Sequence, residues 1–430
     1  MAMFGLFEIF LALVCFIILR RLGSNTSGLP MDWPLVGILP TLLSQVGRIH
    51  DWITELLLQA NCNFLFRGPW FSNMDMLITA DPANVHYIMS SNFVNFPKGS
   101  EFKRIFDVLG DRIFNVDYEL GKDQRRVAVS LINHRKFQQF LERTSRDKIQ
   151  NGLLPILDQA SKKGLVLDLQ DLFERFTFDS ICKLVTGFDS RCLSDEFPEV
   201  PFAKALDDAE EAIFFRHIFP EFVWKLQRWV GIGQEKKLSQ AWKSFDRIIA
   251  EHIKTKREEL TEGGDLRSEE EGSDLLTSYM KMDEDGMSEM FESRESINKL
   301  IYLHGAICES LRLYPSVPLQ HKRPLQHDVL PSGRNVRANT RILFSFYAMG
   351  RMPSIWGNDC SEFRPERWIS EKGTIRHGPS YKFPAFNVGP RTCLGMEVAL
   401  TQLKIAAAAI IRNFHVQVEE GQDALQLFFL

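Results

Sequence analysis

The sequence predicts a mainly α protein with small β-sheets, an α+β fold, entered through an N-terminal transmembrane helix. Three observations carry this expectation. Apolar residues recur at helical spacing through most of residues 37–282 and again after Ile297. A single strand–turn–strand pattern stands at 329–346, turning at Pro331-Ser332-Gly333. The chain opens on Met1–Leu19, apolar except for Glu8 and closed by Arg20-Arg21.

In chain order, Met1–Leu19 has about the length that crosses ~30 Å of hydrocarbon at ~1.5 Å per residue. The basic pair follows the apolar run, and no small-residue cleavage site comes after it. This favours an anchor over a cleaved leader and places the remaining chain on the cytosolic side. The organisation is therefore an anchor over 1–21, a proline-containing hinge over 22–37 and one large domain over 38–430. Asp81-Pro82 reads as a helix cap and first turn. Leu169, Leu172, Phe173, Phe176, Ile181 and Leu184 form one helix face, and Leu238, Trp242, Phe245, Ile249 and Ile253 another. The aromatics of 222–229 read as core packing. Arg257–Asp274 is charged and reads as a solvated loop. Val336, Ile342, Phe344 and Phe346 belong to the second strand of the 329–346 pattern.

Composition narrows the function classes. A formal charge of −4 does not point to nucleic acid as a partner, and 34 Phe suit a large core and an apolar pocket. Seven cysteines without a C-x-x-C pair fit a reducing compartment and argue against a disulfide framework or a zinc site. No phosphate-binding Gly-Lys loop, H-E-x-x-H or dinucleotide fingerprint is present.

The chemistry concentrates in Phe386–Gly395, Phe-Asn-Val-Gly-Pro-Arg-Thr-Cys-Leu-Gly. Leu400, Leu403, Ala407, Ile410, Ile411 and Phe414 then recur as one helix face, so Cys393 sits just before a helix N-terminus. Free N–H groups and the helix dipole favour a thiolate there. Gly389 and Gly395 permit φ > 0 and a close approach to a flat ligand. Arg391 could pair with a carboxylate on that ligand. A cysteine thiolate is one of the axial ligands of haem iron. The bland alternative is a small buried loop cysteine.

The spacing F-x-x-G-x-R-x-C-x-G resembles the haem-binding loop of the cytochromes P450, and other segments extend the resemblance. Leu29–Gly37 is similar to the proline-rich hinge of that family. Asp168–Asp179 and Phe222–Trp229 resemble its plant fatty-acid and alkane hydroxylase clan, and the resemblance makes some of their aromatics substrate-channel candidates. Glu309-x-x-Arg312, which alone is an unremarkable i, i+3 pair, is followed by Phe363-Arg364-Pro365-Glu366-Arg367-Trp368. The resemblance implies a buried ionic cluster of Glu309, Arg312 and Arg367. It also implies haem b, with Cys393 as iron ligand and Phe386, Gly389, Arg391 and Gly395 around it. Arg125 and Lys322 are implied as propionate-binding residues. Arg125 lies where the family has W-x-x-x-R, with Gly121 in place of the tryptophan, and could equally be a surface residue.

One part of the family pattern is missing. Between Leu276 and Ile297 the family carries a long helix with an A/G-G-x-D/E-T oxygen-activation motif, and no such motif occurs. A helix crossing a domain on the order of 50 Å wide needs ~25–30 residues, so an internal deletion near 282–296 is expected. No catalytic acid–threonine pair is identified. The C-terminal strands of the family are missing as well.

The resemblance implies a haem-thiolate monooxygenase hydroxylating fatty acids or alkanes with O2. Electrons would come from NADPH-cytochrome P450 reductase, at the endoplasmic reticulum membrane, with the lipid bilayer as a second partner. Two alternatives stay open: a truncated, non-catalytic or misfolded product, and a haem-thiolate rearrangement enzyme that needs no O2 activation.

Overall fold

The computed structural model describes residues 29–194, 197–198, 200–262, 274–281, 300–376 and 378–417. The expected anchor at 1–21, the start of the hinge, and the expected deletion near 282–296 lie outside the described residues. No helix among the described residues is long and apolar enough to cross a membrane.

The main elements are α1 (Ile49–Gln59), β1 (Asn63–Phe66), β2 (Met76–Thr79), α2 (Pro82–His86), α3 (Gly99–Ile105), α4 (Tyr118–Ile132), α5 (Arg135–Lys148), α6 (Leu169–Thr186), α7 (Pro201–Ile218), α8 (Glu221–Val230), α9 (Gly233–Glu262), α10 (Ile301–Leu313), β3 (Leu319–Lys322), β4 (Asp328–Val329), β5 (Asn335–Val336), β6 (Arg341–Ser345), α11 (Phe346–Gly350) and α12 (Met396–Asn413). The larger sheet has the order β1-β2-β6-β3. β2 and β6 run parallel, and the other pairs are antiparallel. A parallel pair needs a crossover, and this one contains most of the helices. β4 and β5 form a separate antiparallel pair.

The sheet packs on α1 through Ile53, Leu57, Ile342 and Phe344, all within one large apolar cluster. A second cluster joins Leu172 and Phe176 of α6 to Ala406 of α12, and a third joins Phe137 and Leu141 of α5 to Leu184 and Val398. Helix starts follow local chemistry. Asp81 accepts from the Ala83 N–H at 2.9 Å, with Pro82 in the first turn. Asp168 accepts from the Gln170 N–H at 2.8 Å to open α6.

Several local expectations are corrected. The second strand of 329–346 is broken: Asn339 takes φ 64 between β5 and β6. Ser345 then accepts from the Ala348 N–H at 3.2 Å, so Phe346 begins a helix. On α9, Leu238 is 2% exposed, whereas Trp242 and Ile249 are 37% and 48% exposed. Its buried contact with α7 runs instead through Leu238, Ala241, Ala205, Ala209 and Ala212. On α12 the buried residues are Val398, Thr401, Gln402, Lys404 and Ala406, while Leu403 and Ile411 of the expected face are exposed. Of the aromatics of α8, Trp224 is buried under Arg216 and Arg228, but Phe222 and Trp229 are 55% and 83% exposed.

Three imidazoles, His50 and His321 buried and His217 half-buried, bear on stability. Burial lowers His50 and His217 to about 4, and burial with nearby cations holds His321 well below its usual value. His321 stacks on Phe102 and lies edge-on to His217 at 5.4 Å, and neither of its ring nitrogens has a hydrogen-bond partner among the described residues. Below pH 6.5 the unfolded chain takes up protons that the folded chain refuses. Stability therefore falls as pH drops from 6.5 towards 4, by up to about 1.4 kcal/mol per pH unit for each imidazole. Urea midpoints at pH 7 and pH 5 should differ accordingly. His321→Leu should reduce that difference; an unchanged pH dependence would show that His321 does not contribute.

Candidate functional site

The cysteine loop is built from two tight turns. Pro384–Phe386 forms one turn of 3-10 helix and Gly389–Arg391 another. The Cys393 N–H donates to the Phe386 carbonyl at 2.7 Å, and the Thr392 hydroxyl donates to the Gly389 carbonyl at 2.8 Å. α12 follows at once, with Cys393 exposed at its entrance. Gly389 takes φ +64, and a Cβ there would lie 2.2 Å from the Met89 carbonyl oxygen. That carbonyl belongs to the π-helical turn Tyr87–Ser91 that ends α2. Gly395 differs from the expectation. Its φ is −83, so it needs no left-handed conformation, and its Cβ position is 3.9 Å from the Cys393 sulfur. It leaves room beside the thiol.

Basic side chains surround this loop. Arg391 is buried and donates to the Ile113 carbonyl at 3.2 Å, to the Val116 carbonyl and to Asp117 at 3.2 Å. Gly121 of α4 lies against it: a Cβ there would meet the Val116 carbonyl oxygen at 3.2 Å and Arg391 Nη2 at 3.4 Å. Arg125, one turn further along α4, donates to the Thr392 carbonyl beside Cys393. Burial and the Arg391 charge lower its pKa. Lys322 on β3 is fully buried over the Phe93 ring, and its ammonium has no hydrogen-bond partner among the described residues. Burial brings it down to about 8.

Sequence reasoning missed Lys98. It is buried beside the same group, donates to the Phe114 carbonyl and lies 4.4 Å from the Phe102 ring. Burial, then Arg391 and Lys322, lower it to about 7. The only sequence signal is its place between Pro97 and Gly99, which marks a turn. Asp117 was also missed. Its carboxylate accepts from Arg391 and from the Lys98 and Gly99 N–H groups. Lys98, Lys322 and Arg391 thus share one nearby carboxylate.

A second constellation forms on α10. Glu309 accepts from Arg312 at 2.8 and 2.7 Å, from the Arg364 N–H at 2.9 Å, from Arg367 at 3.2 Å and from the Trp368 indole at 2.9 Å. Against the upward push of burial, these bonds, led by Arg312, hold its carboxyl below the ordinary value. Arg312 also donates to the carbonyls of Gly350, Cys360 and Glu362. Gly350 is required at this contact, since a Cβ would lie 2.0 Å from the Arg312 carbonyl oxygen. The structure therefore joins Glu309, Arg312 and Arg367 in one network.

No group of three or more His, Cys, Asp or Glu side chains converges as a metal site among the described residues. An orphaned buried ammonium and an excess of buried cations beside an exposed thiol fit an iron porphyrin with two carboxylates. Fold and loop suit a helical protein that holds an acidic prosthetic group through one thiolate. The chain belongs to the cytochrome P450 family, whose pattern matches residues 28–295 and 288–428, and the family implies a haem-thiolate cofactor.

The chain is 42% identical to alkane hydroxylase MAH1 of Arabidopsis thaliana, over 98% of this chain and 95% of that protein. It is 38% identical to noroxomaritidine synthase of Narcissus aff. pseudonarcissus MK-2014, over 96% and 92%. To cytochrome P450 86B1 of Arabidopsis thaliana it is 36% identical, over 96% and 85%. The first of these comparisons spans 474 aligned positions against a chain of 430 residues, so more than 40 positions of that relative have no counterpart here.

Glu309→Gln removes one buried charge and leaves Arg312 and Arg367 short of a partner. It should cost about 3–5 kcal/mol, seen as a lowered urea midpoint or loss of folded protein. A shift below 1 kcal/mol would mean that the network does not hold α10 to the 359–368 segment.

Proposed function

We propose that this chain is a haem-thiolate monooxygenase of the alkane and fatty-acid hydroxylase kind, with Cys393 as the iron ligand and a long aliphatic compound as substrate. The observation that carries the reading is the exposed Cys393 beside the buried cations Lys98, Lys322 and Arg391 and the half-buried Arg125. Similarity to an alkane hydroxylase supports the substrate class. When bound, haem b supplies the redox chemistry of oxygen insertion into a C–H bond. The chain's own residues would bind and orient it. Lys98 and Lys322 would take the propionates, with Arg125 and Arg391 bracing the loop and Phe386 and Gly395 shaping the space at the thiol. NADPH-cytochrome P450 reductase would supply the electrons.

The bilayer is the second proposed partner, at the endoplasmic reticulum, with Met1–Leu19 as anchor. Trp70, Phe71, Phe222, Leu226 and Trp229 form an exposed apolar patch, tied together by Trp70–Phe71 and Phe71–Phe222 ring contacts. The patch adjoins the start of the domain, where the Trp70 N–H donates to the Leu35 carbonyl at 3.3 Å. Lipid would cover it. In vesicles of brominated phosphatidylcholine, Trp229→Phe should remove a lipid-quenched part of the fluorescence, whereas Trp242→Phe should not. Equal quenching in both variants would contradict the bilayer contact.

A second reading is a haem-binding shell without turnover. It rests on the aligned positions that this chain lacks and on the exposure of Ile181, Val185, Leu403 and Ile411. A carbon monoxide difference spectrum of reduced membranes separates the readings. A thiolate-type Soret band lost in Cys393→Ala, together with hydroxylation of an alkane or fatty acid, supports the first. The band without product supports the second. Absence of the band with protein present would remove both.

A further inference from the structure

The haem reading leaves one electrostatic imbalance to account for. Lys98 and Lys322 are buried side by side, close enough to Arg391 to be repelled by it. Asp117 is the carboxylate that offsets them, and it already serves Arg391 and two backbone N–H groups. The neighbouring charges are committed elsewhere. Glu101 on α3 pairs with Arg323 and Arg341, His321 on β3 is held neutral, and Arg125 donates to the Thr392 carbonyl. An ammonium with no hydrogen-bond partner, fully buried in a pocket of like charge, favours its neutral form. A dianion placed there reverses that preference.

Resting on the haem reading, we infer that Lys98 and Lys322 form a proton-coupled dicarboxylate clamp, so that seating a porphyrin with two ionised carboxylates draws protons from solvent onto these two amines. Each neutral amine gains one proton from buffer as a carboxylate arrives, giving two ammonium–carboxylate pairs. Porphyrin affinity is then highest near or below neutral pH and weakens as pH rises through 7 to 9, because the free pocket has lost the protons that the complex needs. Burial sets the window, with Lys98 at about 7 and Lys322 at about 8.

Calorimetry on the full chain in lipid nanodiscs tests this. The probe is metal-free protoporphyrin IX, which avoids the separate proton loss of Cys393 on binding iron. Titrations at pH 8 in two buffers of different ionisation enthalpy should show roughly one to two protons taken up per ring, and almost none at pH 6. Affinity should fall about tenfold per pH unit for each proton coupled. The dimethyl ester should take up none, and Lys322→Arg should remove about half a proton from the count at pH 8, where an amine with a pKa of about 8 is half protonated before the ring binds. Binding at pH 8 without proton uptake, or equal uptake with the ester, overturns the inference. A thiolate Soret band with ferric haem is recorded in parallel. If the band is present and uptake is absent, the clamp alone fails; if neither haem nor the free ring binds, the haem reading fails with it.

Discussion

The Glu309 carboxylate is the constraint on which the packing of α10 against its neighbours depends. It is fully buried, and five donors converge on it. A buried carboxylate tolerates no missing partner, so the loop from Asp359 to Trp368 must fold against α10 wherever α10 forms. Arg312 extends the constraint to α11 through the Gly350 carbonyl, and α11 continues directly from β6. Sheet, helix and loop are thereby tied to one charge. The network specifies one arrangement more than it adds net stability, because removing two charges from water offsets most of what their pairing returns.

Local chemistry was the legible part of the sequence. Asp81 and Pro82 are read from residue type alone, because a cap requires only its own helix. The cysteine loop is legible for a similar reason, since glycine, proline and a following helix are all near in sequence. Residues whose partners are remote were not legible. Lys98 acquires its meaning from Lys322 and Arg391, more than 200 positions away. Gly121 reads as a weak helix residue until Arg391 is seen lying against it. The faces of α9 and α12 were misjudged because periodicity gives the direction of an apolar stripe and not whether a neighbour covers it. In α12 that stripe turns Leu403 and Ile411 outward.

Apolar side chains stay open on α6 as well as on α12. Ile181 and Val185 of α6 and Leu403 and Ile411 of α12 are apolar side chains left open in helices that otherwise contribute to the core. The family match breaks into two pieces meeting at residues 288–295, and the alkane hydroxylase comparison contains many positions without a counterpart.

The contact between Gly389 and the π-turn makes two distant stretches of backbone depend on one residue of length. In Tyr87–Ser91 the Asn92 N–H reaches back five residues to the Tyr87 carbonyl, so the turn holds one residue more than an α-turn would. The Met89 carbonyl of that turn lies against Gly389. Shortening the turn by one residue would restore α geometry and withdraw the carbonyl. Position 389 would then be free of the clash, keeping only its preference for a left-handed backbone. The glycine of the cysteine loop is therefore partly a property of a helix end three hundred residues upstream, and neither length nor residue type can change there alone.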